Sequence, residues 1–265
     1  MSQDNNGNDK NKKNADSENE DVDVSRRNFL KNSGVAAGGV VGGVVLGGLW
    51  NPFNSKEDTK SDEDDGSEML QEARTFFSRE DDFKTLAAAT QRIYPKDDNG
   101  PGAIELGVPY FIDKQLTGYW GFNSKDYMQG PFEPDKSDSH GLQTKLNRGE
   151  MFLAGVRKMF EMSKKDHDED FFDIEGEQQD EILEKFEAGD VDIPGLPSDV
   201  FFNLLRDTTI EGVYADPVYG GNKDMEAWKM MEYPGPRMGW SDKIDSEDFV
   251  SMDPSSLRDY QGGGL

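Results

Sequence analysis

The run Val200-Phe201-Phe202-Asn203-Leu204-Leu205 leads into Glu211-Gly212-Val213-Tyr214-Ala215-Asp216-Pro217-Val218-Tyr219-Gly220-Gly221-Asn222, and Trp228 follows. The apolar run has helical spacing. The dozen positions after it hold three glycines, a proline and two tyrosines. Gly220-Gly221-Asn222 suits a backbone at positive φ, or one that closely approaches another segment. Proline pushes the residue before it into an extended conformation, which takes Asp216 out of the helix. The expectation is a helix ending near Gly212, then an ordered, aromatic-rich loop. Loops of this kind usually do more than connect.

Upstream of this stretch the signals are helical. Ser198 stands where it can cap the helix that buries Phe201, Phe202, Leu204 and Leu205. Glu175 to Glu187 gives another helix, carrying Ile182, Leu183 and Phe186 and closed by Gly189. Leu142, Leu146, Phe152, Leu153, Val156, Met159 and Phe160 mark an amphipathic helix reaching about Lys165. Trp120 to Gly141, rich in Gly, Pro and Asp, reads as a long loop with the aromatic pegs Trp120, Phe122, Tyr127 and Phe132. A helix-like stretch from Ile104 to Leu116 is interrupted by Pro109. Ser78 with Asp81 resembles a capping box for a helix that carries Phe83, Leu86, Ala87, Thr90 and Ile93 and stops at Pro95. No alternating strand longer than four residues and no internal repeat is found. Residues 69–265 therefore read as one all-α domain of five to six helices with long ordered loops.

The front of the chain is of another kind. Residues 1–24 are Asn, Asp, Glu, Lys and Ser with almost nothing apolar, a disordered composition. Ser25-Arg26-Arg27-Asn28-Phe29-Leu30-Lys31 fits the twin-arginine export pattern at every defined position: Ser25, Arg26, Arg27, Phe29, Leu30 and Lys31. An uncharged run from Gly34 to Trp50 completes the signal over residues 25–50. No Ala-x-Ala cleavage site follows, so a cleaved leader and a retained N-terminal anchor both remain open. Residues 51–68 are a charged linker. The expected location is the outer face of the cytoplasmic membrane, the periplasm or the cell envelope.

Composition excludes several classes of function. The 265 residues hold 54 acidic and 29 basic side chains, a formal net charge of −25. Residues 1–50 are nearly balanced, with 7 acidic and 6 basic, so the excess lies in the remainder. No basic patch suited to nucleic acid is present. So much acid reads as a highly soluble, solvated surface. With no cysteine there is no disulfide, iron–sulfur ligation or covalent haem attachment on this chain.

Catalytic motifs are also missing. Only His140 and His167 are available, and neither accompanies a Ser or Cys nucleophile pattern. No Gly-rich phosphate loop follows a strand, and Gly220-Gly221-Asn222 is not a dinucleotide fingerprint. Asp166, Asp168, Asp170 and Glu177 fall at positions 1, 3, 5 and 12 of a calcium-loop register. Phe171 stands where that loop needs glycine, and Asp173 where it needs an apolar residue, so a solvated linker is the better reading and calcium the weaker one. Glu211 and Asp216 make sense as acceptors for loop N–H groups. No catalytic residue and no cofactor is assigned to this chain.

Two groups of residues carry a resemblance to a known family. One is Thr209-Ile210-Glu211-Gly212, Tyr214, Asp216-Pro217-x-Tyr219-Gly220-Gly221-Asn222, Trp228 and Tyr233-Pro234-Gly235. The other is Ile93-Tyr94-Pro95, Gly100-Pro101-Gly102-Ala103, Gly107-Val108 and Phe111-Ile112-Asp113. Together they resemble the gluconate 2-dehydrogenase subunit 3 family, over roughly Asp82 to Gly239. The resemblance implies a non-catalytic small subunit of a membrane-associated, flavin-dependent sugar or polyol dehydrogenase. It implies as partner a large FAD-dependent subunit of the glucose–methanol–choline type, and in some relatives a subunit carrying haem c. The twin-arginine translocase would then carry the large subunit out with this chain. Glu211, Tyr214, Asp216, Tyr219, Gly220, Gly221, Asn222 and Trp228 become the candidate partner-binding residues. Two other readings stand beside it: a free-standing, envelope-tethered small-ligand binding protein whose aromatic loops Trp120–Phe132 and Tyr214–Trp228 line a pocket, and an enzyme using the acidic residues.

The paired guanidinium groups of the export signal are its testable part. Replacing Arg26→Lys together with Arg27→Lys removes the planar forks that Lys cannot copy. Cell fractionation should then find the protein in the cytoplasm; unchanged export of the double variant would contradict the assignment.

Overall fold

A computed structural model describes residues 73–133, 141–241, 243–248 and 250–261. The export signal, the linker and His140 lie outside the described residues. The helices are α1 (Glu80–Ile93), α2 (Val108–Thr117), α3 (Arg148–His167), α4 (Gly176–Glu187), α5 (Ser198–Tyr214), α6 (Glu226–Met230) and α7 (Leu257–Gln261). Two short 3-10 turns, Pro217–Tyr219 and Lys223–Met225, lie between α5 and α6. Among the described residues the only extended pairing is an isolated bridge between Asp97 and Gly100. The all-α expectation holds; the described residues form seven helices, two of them short, where five to six were expected.

Helix α5 is the axis. It packs against α1, α2, α3 and α4. Phe201, fully buried, meets Phe152 of α3 edge-on at 5.9 Å and Phe186 of α4 at 5.7 Å. Gly155 of α3 makes room for this ring: a Cβ there would come within 2.3 Å of it. On another side of α5, Gly212 leaves space for Phe111 and Val108 of α2, 2.8 and 3.0 Å from where its Cβ would be. Aromatic side chains each bury a large apolar area, so a few such contacts account for much of the core.

Helix starts differ in part from the expected caps. Asn147 and Glu150 form a reciprocal capping box at α3, and Glu175 with Gln178 does so at α4. At α1 the capping residue is Arg79, without a side-chain bond, so Ser78 is not the cap. At α5 Pro197 is the cap; the Ser198 hydroxyl instead accepts the Val191 N–H at 3.3 Å and holds the preceding loop. Pro109 does not interrupt a helix. It lies in the first turn of α2, where its missing N–H has no helical partner to lose, after Gly107 at φ 73°. The long amphipathic helix begins only at Arg148, because residues 141–147 are extended or bent.

Buried carboxylates fasten the remaining pieces. Asp113 of α2, fully buried, accepts the backbone N–H groups of Thr75, Phe76 and Phe77 at 2.6, 3.0 and 2.9 Å, and the Thr75 hydroxyl at 2.8 Å. A segment with no helix of its own is thereby tied down, and Phe77 enters the core beside Phe83. Asp82 of α1 is likewise buried and bonds Arg157 of α3 at 3.0 Å. Arg92 of α1 reaches Asp180 of α4 through its Nε at 2.8 Å. Among the described residues no helix is long and apolar enough to cross a membrane.

Asp113→Asn keeps the shape but turns an amide NH2 towards donors that need an acceptor. Each buried donor left unsatisfied costs about 1–3 kcal/mol. Thermal unfolding should show a clear loss of melting temperature; a variant that melts like the parent would remove Asp113 as the fastener.

Candidate functional site

The helix α5 runs past Gly212 to Tyr214, one half-turn beyond the expected end, and Ala215 leaves it in an extended conformation. The loop then doubles back. Gly221 lies directly on the C-terminal end of α5: a Cβ on it would stand 2.2 Å from the Gly212 carbonyl oxygen. Gly220, at φ 99°, brings its backbone beside Lys114 of α2, and its carbonyl faces Gly107. Lys223 donates its N–H to the Leu106 carbonyl at 3.1 Å. The glycine pair serves as expected, with one position at positive φ and the other at a close approach; Gly220 faces the Lys114 side chain and Gly221 the backbone of Gly212, both within this chain.

Three polar side chains hold the loop. Asp216 caps the first 3-10 turn by accepting the Val218 N–H at 3.0 Å. The same carboxylate accepts the Ser256 hydroxyl at 2.9 Å and the Leu257 N–H at 2.8 Å, tying α7 to the loop. Asn222, fully buried and at φ 47°, donates to the Ala215 carbonyl at 3.0 Å and accepts the Ala227 N–H at 2.9 Å. It closes the loop across its neck. The indole of Trp228, 4% exposed, donates to the Tyr214 carbonyl at 2.9 Å and meets Tyr233 edge-on at 5.2 Å. Tyr214 is half-buried beside Tyr94, the residue that closes α1; burial first, then this neighbour, push the Tyr94 phenol upward.

Of the eight candidate residues, Asp216, Gly221, Asn222 and Trp228 are turned inward, and Tyr214 and Gly220 are half-buried. Glu211 and Tyr219 stand at the surface. Partial burial, then the like charge of Asp207, hold the Glu211 carboxyl above the ordinary carboxylate range, and Arg148 pulls the other way. Glu211 and Asp216 do not form an acid–base pair: Asp216 is filled by three donors of the loop and α7.

Asp166 pairs with Lys185 and Asp170 with Lys164, while Asp168 ends α3 at φ 61°. Asp166, Asp168, Asp170 and Glu177 are not gathered around a centre, and no group of three or more His, Asp or Glu able to hold a metal occurs among the described residues. The physical reason is the one visible at Phe171: its side chain is in the core, so the chain cannot make the sharp turn a calcium loop needs. His167 lies beside Gln178 at 3.1 Å. A cavity of about 990 Å3 opens between residues 141–146 and 189–198, with Phe132 at its edge. No residue of Tyr214–Trp228 lines it.

Sequence reasoning missed Ser256, which is buried against Asp216. Its signal was present: Ser256-Leu257-Arg258-Asp259 has capping-box spacing, and the Asp259 carboxylate accepts the Ser256 N–H at 2.8 Å. Arg148 was also missed. It bonds the Trp120 carbonyl at 3.2 Å and Asp126 at 2.5 Å and stacks over the Trp120 ring at 5.0 Å.

Gly221→Ala should lower the melting temperature, since overpacking against rigid backbone typically costs about 1–3 kcal/mol. Gly239→Ala is the control, because nothing lies within 4 Å of its added methyl. Equal melting of the two variants would mean the close approach is not a constraint.

The model of the family described as gluconate 2-dehydrogenase subunit 3 matches residues 80–235, which is more than half of the chain and includes the whole of α1 to α6 with the loop. No curated protein matches the chain. No solved structure matches it.

Proposed function

Because the chain belongs to the gluconate 2-dehydrogenase subunit 3 family, a family of dehydrogenase-complex subunits, we propose that it is the non-catalytic small subunit of a membrane-associated, FAD-dependent sugar or polyol dehydrogenase. Its tasks are twin-arginine export, stabilisation and docking of a large FAD-dependent subunit. A subunit carrying haem c is a further candidate partner in the complex; this chain, without cysteine, does not attach haem covalently. The observation that carries the reading is how the loop spends its polar groups. Asp216, Asn222 and the Trp228 indole each bond this chain's own backbone. General acid–base work needs such groups aimed at a substrate, whereas here they stiffen a surface. A free-standing binding protein is the less favoured reading, since the Tyr214–Trp228 loop lines no part of the 990 Å3 cavity.

The purified chain should be colourless and should reduce no dye with sugars or polyols. Co-expressed with the large subunit, it should be recovered in a yellow, active complex. A flavin spectrum or dye reduction by this chain alone would overturn the proposal.

A further inference from the structure

The loop after α5 is adjacent to the second aromatic loop. Gly220 rests on Lys114, and α2 runs from Lys114 to Thr117 and straight into Gly118 and Tyr119. From the other side, Arg148 bonds the Trp120 carbonyl and Asp126, and its charge acts on Glu211 against the burial and the Asp207 charge that hold that carboxyl high. Gly149 donates its N–H to the Gly121 carbonyl at 3.0 Å, which fixes the 118–126 turns to the start of α3. Residues 118–126 and 210–220 are thus joined across α2 and Arg148.

Large side chains of both loops are left in solvent. Tyr119 is 80% exposed, Phe122 62% and Tyr219 52%, with Ile210 beside Glu211 on the outer face of α5. Their backbones are not loose: the turns carry Phe122 N–H to Gly118, Asn123 to Trp120 and Tyr219 to Asp216 bonds. Exposed aromatic groups on a stiff frame lose little entropy on binding, and such residues dominate binding energy at interfaces.

We propose that Tyr119, Phe122, Ile210 and Tyr219 form one docking face, and that its occupant is the FAD-dependent subunit of the complex. This rests on the subunit assignment made above. Charge selects the occupant. Around the face Lys114, Arg148 and Arg206 stand against Asp126, Asp207 and Glu211, whereas the whole chain carries −25. A second copy would bring −25 against −25, and an anionic lipid surface would meet the same repulsion. The subunit assignment supplies the remaining occupant, a different protein that presents an apolar patch to this locally balanced face.

The experiment uses the full chain co-expressed with the FAD-dependent subunit. Phe122→Ser with Tyr219→Ser should weaken recovery of the flavoprotein roughly tenfold or more, as loss of an interface anchor does. Melting of the free variant should stay at the parent value, and Tyr219→Phe should retain binding. If the parent chain recovers no flavoprotein, the subunit assignment fails and this face with it. If the parent recovers it and the double variant does so equally, the face is wrong and the subunit assignment stands. Early melting of the double variant overturns it too, because the rings would then belong to the core. So does a parent dimer, or binding to anionic phospholipid vesicles, that the double variant loses.

Discussion

Two glycines without side chains allow the rest of the molecule to close. Gly212 lets α2 lie against α5 through Phe111 and Val108, and Gly221 lets the following loop lie on the Gly212 carbonyl. Helix α2, helix α5 and the loop are therefore stacked at backbone distance around one point. A methyl group at either position would spread the stack, and interiors packed at crystal-like density transmit such strain. Once the loop is held there, Asn222 can close its neck and Trp228 can reach the Tyr214 carbonyl. The end of the central helix and the start of α6 are thereby one unit.

Acidic side chains are the second theme. The chain has 54 of them, and not all lie on its surface. Asp82, Asp113 and Asp216 are buried, and each organises a different junction. Asp82 joins α1 to α3 through an arginine. Asp113 and Asp216 collect mainly backbone N–H groups from segments that have no regular ladder to satisfy them. An ionised carboxylate accepts hydrogen bonds more strongly than a neutral group, so one side chain can order several loop residues. In a chain without cysteine and, among the described residues, without a β-ladder, this is how long connections become ordered.

Helix content was legible because the apolar spacing of Phe83–Ile93, Phe152–Phe160, Ile182–Phe186 and Phe201–Leu205 has one helical period, and burial followed it. Helix ends were less legible. Ser78 and Ser198 have the residue type of caps, but the cap positions fall to Arg79 and Pro197, and the Ser198 hydroxyl is engaged by Val191. Pro109 could be read as a break or as a first-turn residue from the same letters; the positive φ at Gly107 made it a start. The candidate loop was legible as a structured loop but not in its orientation. Tyr219 and Trp228 look alike in sequence, yet one is half exposed and the other buried. Trp228 is held inward by the Tyr214 carbonyl and the Tyr233 ring, a placement that no local pattern reports.

The division of the loop into an inner and an outer set lets one short stretch serve the fold and also the proposed docking. If Asp216, Asn222 and Trp228 were available to a partner, the loop would be unfixed until it bound, and ordering it would subtract from affinity. Bonded inward instead, they set the backbone before any encounter, and Tyr219 is presented on a turn already closed by the Tyr219 N–H to Asp216 carbonyl bond. The same logic holds at the other loop. The aliphatic and guanidinium parts of Arg148 fill the space between Trp120, Asp126 and the first turn of α3. Phe122 is then left on an anchored turn rather than on a tether. Stiffness at the surface is thus a consequence of polar side chains spent in the interior.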